Sequence, residues 1–356
     1  MMRFGTYHTF QHPPWIAEPD VYRLEMDRLE MADRMGYDEV WIPEQHFTPY
    51  CLTGDPFVLV THAAGRTKRV RIGIAVVNLS FAHPLRLAEQ GAIVDILTGG
   101  RVDIGIGRGY QPIQYPVFGV SMEDTRERFD ETLNVLTRAW TEERFSHQGK
   151  FHHFPDVSVL PKPISKPHVP LLMASSTKDS AIIAAKKRMP AILARPFNDN
   201  KTVADDIALY TQCLREASAT PQEVTSLLNQ SVVMKLMYVA PTNKASKDEP
   251  YEALKWHVDI LHRITIDPSK APKSYEQMAD RFKKRGDFDY DEWWQNRLIY
   301  GDPDRCAEQV VELAKAGVKR LLLWHGPGGV DHEKLVRSMK LFIEQVKPQV
   351  MKALRS

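Results

Sequence analysis

The sequence predicts an α/β fold in which eight parallel strands, each followed by a helix, close into a (β/α)8 barrel. Short apolar runs alternate with amphipathic helical stretches, the pattern of parallel strands joined by helical crossovers. Eight such units fit into the 356 residues, which we interpret as a single domain spanning 1–356. A doubly wound parallel sheet is the competing architecture.

The first half of the chain supplies four strands and four helices. Gly36 is a typical stop for the first helix, while Pro56 and Pro84 each suit a first helical turn. The third strand is apolar throughout, which predicts burial on both faces. The predicted strands are Arg3–Thr9, Glu39–Pro43, Arg71–Leu79 and Arg101–Tyr110, and the predicted helices are Asp20–Met35, Pro56–Arg66, Pro84–Leu97 and Met122–Thr141.

The second half repeats the pattern with two interruptions. The Pro-rich stretch Phe151–Pro170 predicts irregular structure. Residues 241–300 are rich in Lys, Asp and aromatic residues and follow the seventh strand, where a barrel could carry an active-site lid. A lid or insertion and a plain surface excursion both stay open. The predicted strands are Val169–Ser176, Pro190–Ala194, Ser231–Ala240 and Lys319–Gly326, with helices that begin at Ser180 or span Pro303–Ala316 and Val330–Val346.

Composition excludes several classes of protein. The net charge of +2 is close to balance, which argues against nucleic-acid or acidic-membrane partners. The basic run Lys283–Arg285 is more typical of a solvated face than of a phosphate-tracking patch. The N-terminus lacks a signal-peptide pattern, no apolar run is long enough for a bilayer, and the three cysteines form neither a disulfide framework nor a zinc spacing. We expect a soluble, cytoplasmic protein.

Polar side chains collect where six predicted strands end. In a barrel these ends share one face, on which active sites are built. The sequence therefore predicts a functional site at that face. The polar groups are Glu44-Gln45-His46, Asn78 through His83, Gly107-Arg108-Gly109, Ser175-Ser176-Thr177, Arg195 and Trp324-His325.

Each motif also has an ordinary interpretation. A lone histidine such as His46 more often satisfies a neighbouring carbonyl than catalyses. The GIGRGY stretch lacks the third glycine and the acidic residue of a dinucleotide fingerprint, so a Gly-flanked Arg108 near a ligand is the simpler use. The segment SSTKDS suits an anion at a helix start, or plain capping by Ser176 or Thr177. No metal constellation, GxSxG elbow or Walker loop is present, which favours a bound organic cofactor.

The ordered blocks resemble a known family. The opening MRFGTYHTFQHPP, the EQHF segment, AHPLRLAEQ with ILTGGRVDIGIGRGY, and GDPDRCAEQV with SMKLF resemble the bacterial luciferase-like flavin-dependent monooxygenases, with the alkanal monooxygenase alpha chains as the nearest likeness. The likeness runs from Met2 to beyond Phe342 and is weakest over residues 241–300. It is specific for the superfamily and much less specific for substrate.

The resemblance implies a luciferase-like TIM barrel that binds FMN at the C-terminal strand ends. Reduced FMN (FMNH2), supplied by a separate flavin reductase, would react with O2 to a C4a-peroxyflavin that oxygenates a small apolar organic substrate. A homodimer, or a heterodimer with a related chain, is also implied. By position, Arg108 matches an arginine near the FMN phosphate, Ser176, Thr177 and Ser180 match polar residues around that phosphate, and Ala75-Val76 matches a non-proline cis peptide at the flavin ring.

Two departures from the alkanal monooxygenase pattern change the expected chemistry. Gln45 stands where the first of two histidines is implicated in catalysis, and only the second is kept, as His46. Gly107 replaces a reactive cysteine, which we expect to leave more room near the flavin. Light emission is therefore not expected.

The candidates for acid–base chemistry are histidines near these strand ends. His46 is the first, with Glu44 setting its orientation and charge. Gln45 could donate a hydrogen bond, and His83 is a second candidate, for which a structural role beside Pro84 is equally open. Two other functions stay open: a coenzyme F420-dependent oxidoreductase of the same fold, and a non-catalytic flavin-binding protein. Aromatic residues near the expected pocket mouth suit an apolar substrate or plain core packing: Tyr7, Phe10, Trp15, Phe47 and Tyr110.

Overall fold

Eight parallel strands close into a TIM barrel with helices around it in the computed structural model, which describes residues 2–283 and 288–355. Around the barrel the strand order is β1-β2-β3-β4-β7-β8-β9-β11, and β11 pairs with β1. All eight predicted strands are present. The strands are β1 Arg3–Tyr7, β2 Glu39–Ile42, β3 Arg71–Asn78, β4 Val102–Gly107, β5 Phe145–Gln148, β6 His153–Val157, β7 Leu171–Ala174, β8 Ala191–Ala194, β9 Val232–Val239, β10 Ile299–Gly301 and β11 Arg320–His325.

The helices pack on the outside of the barrel, and the main apolar core lies between them and the strands. Among the described residues, no helix is both long and apolar enough to cross a membrane. The helices are α1 Glu18–Met35, α2 Pro56–Arg66, α3 Pro84–Leu97, α4 Gln114–Val117, α5 Thr125–Thr141, α6 Lys178–Lys186, α7 Asn200–Glu216, α8 Pro221–Gln230, α9 Asn243–Asp248, α10 Tyr251–Ile264, α11 Glu276–Lys283, α12 Tyr290–Glu292, α13 Pro303–Lys315, α14 His332–Leu341 and α15 Lys347–Ala353.

Local sequence sets the helix limits as expected. Gly36 ends α1 in a left-handed conformation (φ 98°), which a residue without a Cβ adopts at little cost. Asp55 accepts hydrogen bonds from the backbone N–H groups of Phe57 and Val58 and so caps α2. These caps fix where the chain leaves each helix to enter the next strand.

Charged residues close the N-terminal end of the barrel. Arg320 donates to Glu39 (2.8 Å from Nε to Oε1) and to Asp103 (2.5 Å from Nη2 to Oδ2), and all three side chains are buried. They lie at or next to the first residues of β11, β2 and β4. Mutual pairing satisfies charges that burial alone would penalise. The opposite end of the barrel stays available for a ligand.

Two sequence predictions need correction. Phe151–Pro170 is not wholly irregular, because β6 lies within it and pairs with β5 as an antiparallel hairpin. The last helix does not end at Val346: a π-helical turn, Phe342–Val346, leads directly into α15. Pro348 lies in the first turn of α15, where a missing N–H costs nothing, and so does not end the helical path.

Residues 241–300 are mostly helical and end in the strand β10, which the sequence pattern did not predict. The strand β10 pairs with Met237–Val239 at the end of β9, whereas β8 pairs with Val232–Met234 at its start. The strand that pairs with this edge of β9 therefore changes along its length, from β8 at the start to β10 at the end. Residues 241–300 accordingly lie beside the C-terminal end of the barrel. Lys284 and Arg285 of the predicted basic face lie outside the described residues.

Candidate functional site

A cavity of about 710 Å³ opens at the C-terminal ends of the strands. Side chains from all eight barrel strands, or from the residues just after them, form its wall together with residues of α5, α6, α7 and the 241–300 segment. A volume of this size lies within the range of cofactor sites. The wall residues from the strands or from the positions just after them include Tyr7, Gln45, Ala75, Val76, Asn78, Gly107, Arg108, Ala174, Ser176, Thr177, Ala194, Arg195, Met234 and Leu322.

Arg108 is a half-buried cation at one end of this cavity. Its Nη2 donates to the carbonyl oxygen of Ser274 (3.1 Å), while its Nη1 is buried and has no hydrogen-bond partner among the described residues. Burial lowers the pKa of Arg108 from its usual value, although a guanidinium stays protonated at neutral pH. A half-buried cation with a buried, unused donor on a cavity wall suits an anionic ligand.

The start of α6 adds further donors at the same end. Ser176, Thr177 and Ser180 all lie on the cavity wall. The Thr177 and Ser180 side chains form a capping box, with 3.3 Å from Ser180 N to Thr177 Oγ1 and 2.9 Å from Thr177 N to Ser180 Oγ. The capping interpretation is therefore confirmed for Thr177, with Ser180 as its capping-box partner. The capping box also holds the first turn of α6 in place, so that the partial positive charge of the helix N-terminus lies beside the cavity.

Residues 274–282 cross this end of the cavity. Tyr275, Gln277 and Phe282 are part of the wall, and Gln277 Oε1 accepts a hydrogen bond from the backbone N of Asp179 in the first turn of α6 (3.3 Å). The Tyr275 hydroxyl bonds to the Tyr115 hydroxyl at 2.7 Å. Oxygen atoms of this segment thus accept hydrogen bonds from donors at the start of α6 and on Arg108. Sequence patterns did not identify these residues, because nothing local marks a segment whose contacts are so distant along the chain.

The middle of the cavity contains the Ala75–Val76 peptide, which is cis as the resemblance implied. The Tyr7 hydroxyl donates to the Ala75 carbonyl oxygen (3.2 Å). A Cβ at Gly107 would lie 2.6 Å from Cγ2 of Val76. Val76 therefore fills the space that a side chain at position 107 would take, and the expectation that Gly107 leaves more room near a flavin stays a prediction.

The three residues of the Glu44-Gln45-His46 motif point to different places. Gln45 forms part of the cavity wall, and its Oε1 accepts a hydrogen bond from Nε2 of Gln114 (2.9 Å). Glu44 is buried, receives the backbone N–H of Asn78 (3.1 Å) and bonds to Nε2 of His46 (2.9 Å). Glu44 thereby connects His46 to Asn78, which is on the wall.

The two candidate histidines lie outside the cavity wall as the described residues form it. The His46 ring packs edge-on against Phe118, with ring centroids 4.8 Å apart, and also contacts Phe47 and Phe81. His83 lies at the start of α3, and its ring contacts His152 at 5.6 Å. An acid–base role for either histidine stays a prediction, and the geometry gives His46 an indirect route through Glu44.

Arg195 bonds to other protein groups and so holds the strand ends in position; it is not an unpaired cation available to a ligand. It forms an ion pair with Asp206 (2.9 Å from Nη2 to Oδ1) and donates to the Ser176 carbonyl oxygen (3.1 Å). Both side chains belong to the cavity wall. The sequence identified Arg195 as a polar residue at a strand end. It did not predict the partner, Asp206, which belongs to α7.

These features define a barrel protein with a cavity at the C-terminal ends of its strands, lined at one end by Arg108 and the start of α6. The model of the luciferase-like monooxygenase family matches residues 2–320. The chain belongs to this family of luciferase-like monooxygenases.

Individual relatives agree over the full length of the chain. The alkanal monooxygenase alpha chain of the Kryptophanaron alfredi symbiont is 25% identical over 361 residues, which cover 98% of each chain. The FMN-bound oxygenating constituent of 3,6-diketocamphane monooxygenase from Pseudomonas putida, a type II Baeyer-Villiger monooxygenase, has a TM-score of 0.82 at 20% identity, covering 98% of this chain and 99% of that one. An F420-dependent secondary alcohol dehydrogenase has a TM-score of 0.74 at 17% identity, with the same coverage. The fold is thus shared by FMN and F420 proteins.

Proposed function

We propose that the chain is an FMN-dependent monooxygenase that receives FMNH2 from a separate flavin reductase and uses O2 to oxygenate a small apolar organic substrate. The observation that carries the proposal is Arg108, whose buried Nη1 has no partner among the described residues, on the same cavity wall as the start of α6. A phosphate group is an anion that both features would hold. Bound FMNH2 would supply the electrons that activate O2.

The residues present fit a flavin mononucleotide. Arg108 and the first-turn N–H groups of α6 would hold its phosphate, with Ser176 beside them. The apolar middle of the cavity, formed by Val76, Ile192 and Leu322 among others, would take its ring system. Residues 274–282 would cover the phosphate end, and a covered, apolar site keeps water from the reacting centre.

In the proposed reaction, proton movement depends on a path of hydrogen-bonded side chains that lies behind the cavity wall. Asn78 faces the cavity and bonds to Glu44, which in turn bonds to His46. Glu44 would hold the His46 imidazole in one orientation, and His46 would adjust the charge felt by Asn78. We propose this indirect role for His46 and Glu44, with Gln45 as the residue of the motif that directly contacts ligands. His83, which lies beside His152, has a structural role in this proposal.

A dimer is part of the same proposal. Ile93, Ile96 and Leu97 are exposed apolar side chains at helical spacing on α3, and Leu97 keeps 60% of its surface in solvent. Such a stripe is what a second copy of the chain, or a related chain, would cover. Sedimentation of the purified chain is expected to show a dimer that Ile93→Ser with Leu97→Ser converts to a monomer. A wild-type monomer at tens of micromolar would contradict a homodimer.

The decisive test of function combines cofactor choice with oxygen transfer. Anaerobic titration should show that FMNH2 binds and that reduced F420 does not. Mixing of the FMNH2 complex with ¹⁸O-labelled O2 and a panel of apolar organic compounds should place one label atom in a product. Preference for F420 would replace the proposal with an F420-dependent oxidoreductase, and FMNH2 binding without labelled product from any compound would favour a flavin-binding protein.

A further inference from the structure

A single lysine interrupts the apolar strand β9, whose sequence is VVMKLMYV. Lys235 is fully buried, and because side chains alternate along a strand it points away from the cavity, whereas its neighbour Met234 forms part of the cavity wall. Burial lowers the pKa of Lys235 from its usual 10.5 to about 7, and the nearby Asp199 offsets this only in part. A cation that is so unfavourable to bury is expected to make a specific contact.

The ammonium group of Lys235 joins two segments of chain beside the cavity. Its Nζ donates to the main-chain carbonyl oxygen of Asn198 and to that of Arg297 (2.9 Å for the second). Asn198 follows β8 and lies on the cavity wall, whereas Arg297 ends the π-helical turn Trp293–Arg297. A carbonyl group at the end of a helical turn has no partner within that turn. The lysine provides a donor for this group and for the wall segment at once.

The Phe197 ring belongs to the wall segment and packs against the π-helical turn. Its centroid lies 5.2 Å from that of Trp293, 5.3 Å from that of His257 and 6.3 Å from that of Trp324. Phe197 is also part of the cavity wall. A ring that is close-packed among three others has little freedom of its own, so its position follows from the backbone that Lys235 holds.

Further aromatic rings of the cavity wall contact the same cluster. Tyr7 packs edge-on against Trp324, with centroids 6.2 Å apart, and Tyr50 packs against His257 at 5.5 Å. Together with Phe197, both tyrosines form part of the cavity wall. Aromatic rings attract another ring more strongly than their apolar area alone provides. Such a wall favours a flat aromatic ligand, as long as its rings do not move apart to admit a thicker molecule.

We infer that Phe197 selects the substrate, that Lys235 is the residue that positions Phe197, and that the substrate is a flat aromatic molecule. The ammonium group fixes both the wall segment and the turn behind it, so the ring does not withdraw for a thicker, saturated molecule. The inference rests on the proposed function, which it narrows from apolar organic compounds in general to aromatic ones. Without Lys235 two carbonyl groups would lose their donor, and the segments would shift until other donors replaced it.

The first test compares 2-naphthol with decahydro-2-naphthol, which share a skeleton and differ in flatness. Equilibrium dialysis with the full chain, with and without oxidised FMN, measures both affinities without turnover. The wild type should bind 2-naphthol about fivefold more tightly, as aromatic contacts provide. Lys235→Met keeps the length of the side chain and removes its donors, so it should reduce this preference to about twofold or less. Equal affinities of the wild type for the two probes would overturn the aromatic substrate class.

Lys162→Met is the matched control. Lys162 also donates to two main-chain carbonyl oxygens, those of Ala139 (2.8 Å) and Glu142 (2.6 Å), but none of these three residues belongs to the cavity wall as the described residues form it. This variant should keep the wild-type preference. Phe197→Leu, which removes the ring and keeps an apolar side chain, should lower the preference as Lys235→Met does. An unchanged preference in folded Lys235→Met or Phe197→Leu protein, or an equal loss in Lys162→Met, would overturn the inference.

The second test uses pH to separate the ammonium group from a merely structural side chain. Because the pKa of Lys235 is about 7, the side chain is mostly charged at about pH 6 and mostly neutral at about pH 8.5. Charged donors form the stronger hydrogen bonds, so the wild-type preference for 2-naphthol should be about twofold to threefold larger at the lower pH. Asp199, whose pKa is lowered, keeps its charge over this range, as does the guanidinium of Arg297, which pairs with Glu292 (2.7 Å).

The same profile in Lys235→Met identifies the titrating group. His257 packs against Phe197, and a pH dependence that came from this imidazole would persist in the variant. Thermal unfolding shows whether each variant is folded, and the wild-type profile decides the role of Lys235 if Lys235→Met does not fold. A wild-type preference that is the same at both pH values, or an equal change in Lys235→Met, would overturn the positioning role. Failure of FMNH2 binding would instead count against the proposed function, because probe binding is measured independently of it.

Discussion

The guanidinium carbon of Arg108 lies 4.7 Å from the centroid of the Tyr275 ring. Arg108 follows the fourth strand and Tyr275 belongs to the segment that crosses the cavity, so this contact joins two parts of the chain that are 167 residues apart. Stacking on an aromatic face stabilises a half-buried guanidinium by about 1 kcal/mol. The contact therefore couples the position of the crossing segment to that of the residue that would hold the flavin phosphate.

Replacement of Tyr275 should separate the roles of its ring and its hydroxyl. Tyr275→Leu removes both, and we expect FMN affinity to fall about fivefold. Tyr275→Phe keeps the ring over Arg108 and loses bonds to Tyr115, Gly109 and Thr125, which should cost about 1 kcal/mol in unfolding free energy with a smaller effect on FMN. Flavin fluorescence quenching and urea unfolding measure the two effects. Identical FMN affinities of both variants would argue against the stacking role.

Removal of Gln277 should strengthen phosphate binding. Gln277 Oε1 accepts a hydrogen bond from the Asp179 N–H, which a phosphate would otherwise use. Gln277→Ala frees this donor, and we expect inorganic phosphate and FMN to bind about threefold to tenfold more tightly. Isothermal titration provides both values, with the neighbouring Glu276→Ala as control. Weaker binding in Gln277→Ala would show that Gln277 contacts the ligand instead of competing with it.

A side chain at position 107 should compete with Val76. Because an added Cβ would lie 2.6 Å from Val76 Cγ2, Gly107→Cys should reduce the unfolding free energy by about 1–3 kcal/mol. Val76→Ala removes that methyl group, so the double variant should lose less than the sum of the single changes. Urea unfolding of all four proteins completes the cycle. Additive losses would show that the two positions do not share the space.

Acid should weaken the protein through Glu25. Burial by itself would raise the pKa of this carboxyl group, but Arg28 and His8 outweigh burial and lower the pKa from 4.5 to about 2. The stabilisation is therefore fully present above pH 4.5 and is lost as the pH falls toward 2. Between pH 6 and pH 3 this group should account for about 2 kcal/mol of lost unfolding free energy. Glu25→Gln should remove that share of the pH dependence, and an unchanged slope would contradict the assignment.

The strands of the barrel were predictable because each is a short apolar run between helix signals. Their ends were not, since β1 stops at Tyr7 and β4 at Gly107, earlier than the pattern indicated. Beyond those residues the chain turns toward the cavity and loses its neighbour in the sheet. The short β10 escaped prediction for a related reason: its three residues form a strand only because the end of β9 is free to pair.

The site was predictable in its location and only partly in its residues. Parallel strands bring Arg108, Ser176 and Gln45 to one face, which follows from chain order and fold. The direction of each side chain does not follow, and adjacent residues diverge: Gln45 lines the cavity while His46 packs among phenylalanine rings. Gln114 and Gln277 could not be found from local sequence, because only folding brings them to the cavity.

The most direct measurement of the central claim compares reduced FMN with reduced riboflavin, which lacks the phosphate, by anaerobic titration. The wild type should bind reduced FMN about 100-fold more tightly, as two charge-assisted hydrogen bonds would provide. Arg108→Met should narrow this preference to about tenfold or less, while the exposed Arg144→Met should leave it unchanged. Equal affinity of the wild type for the two flavins, or an unchanged preference in Arg108→Met, would contradict the claim that Arg108 holds a flavin phosphate.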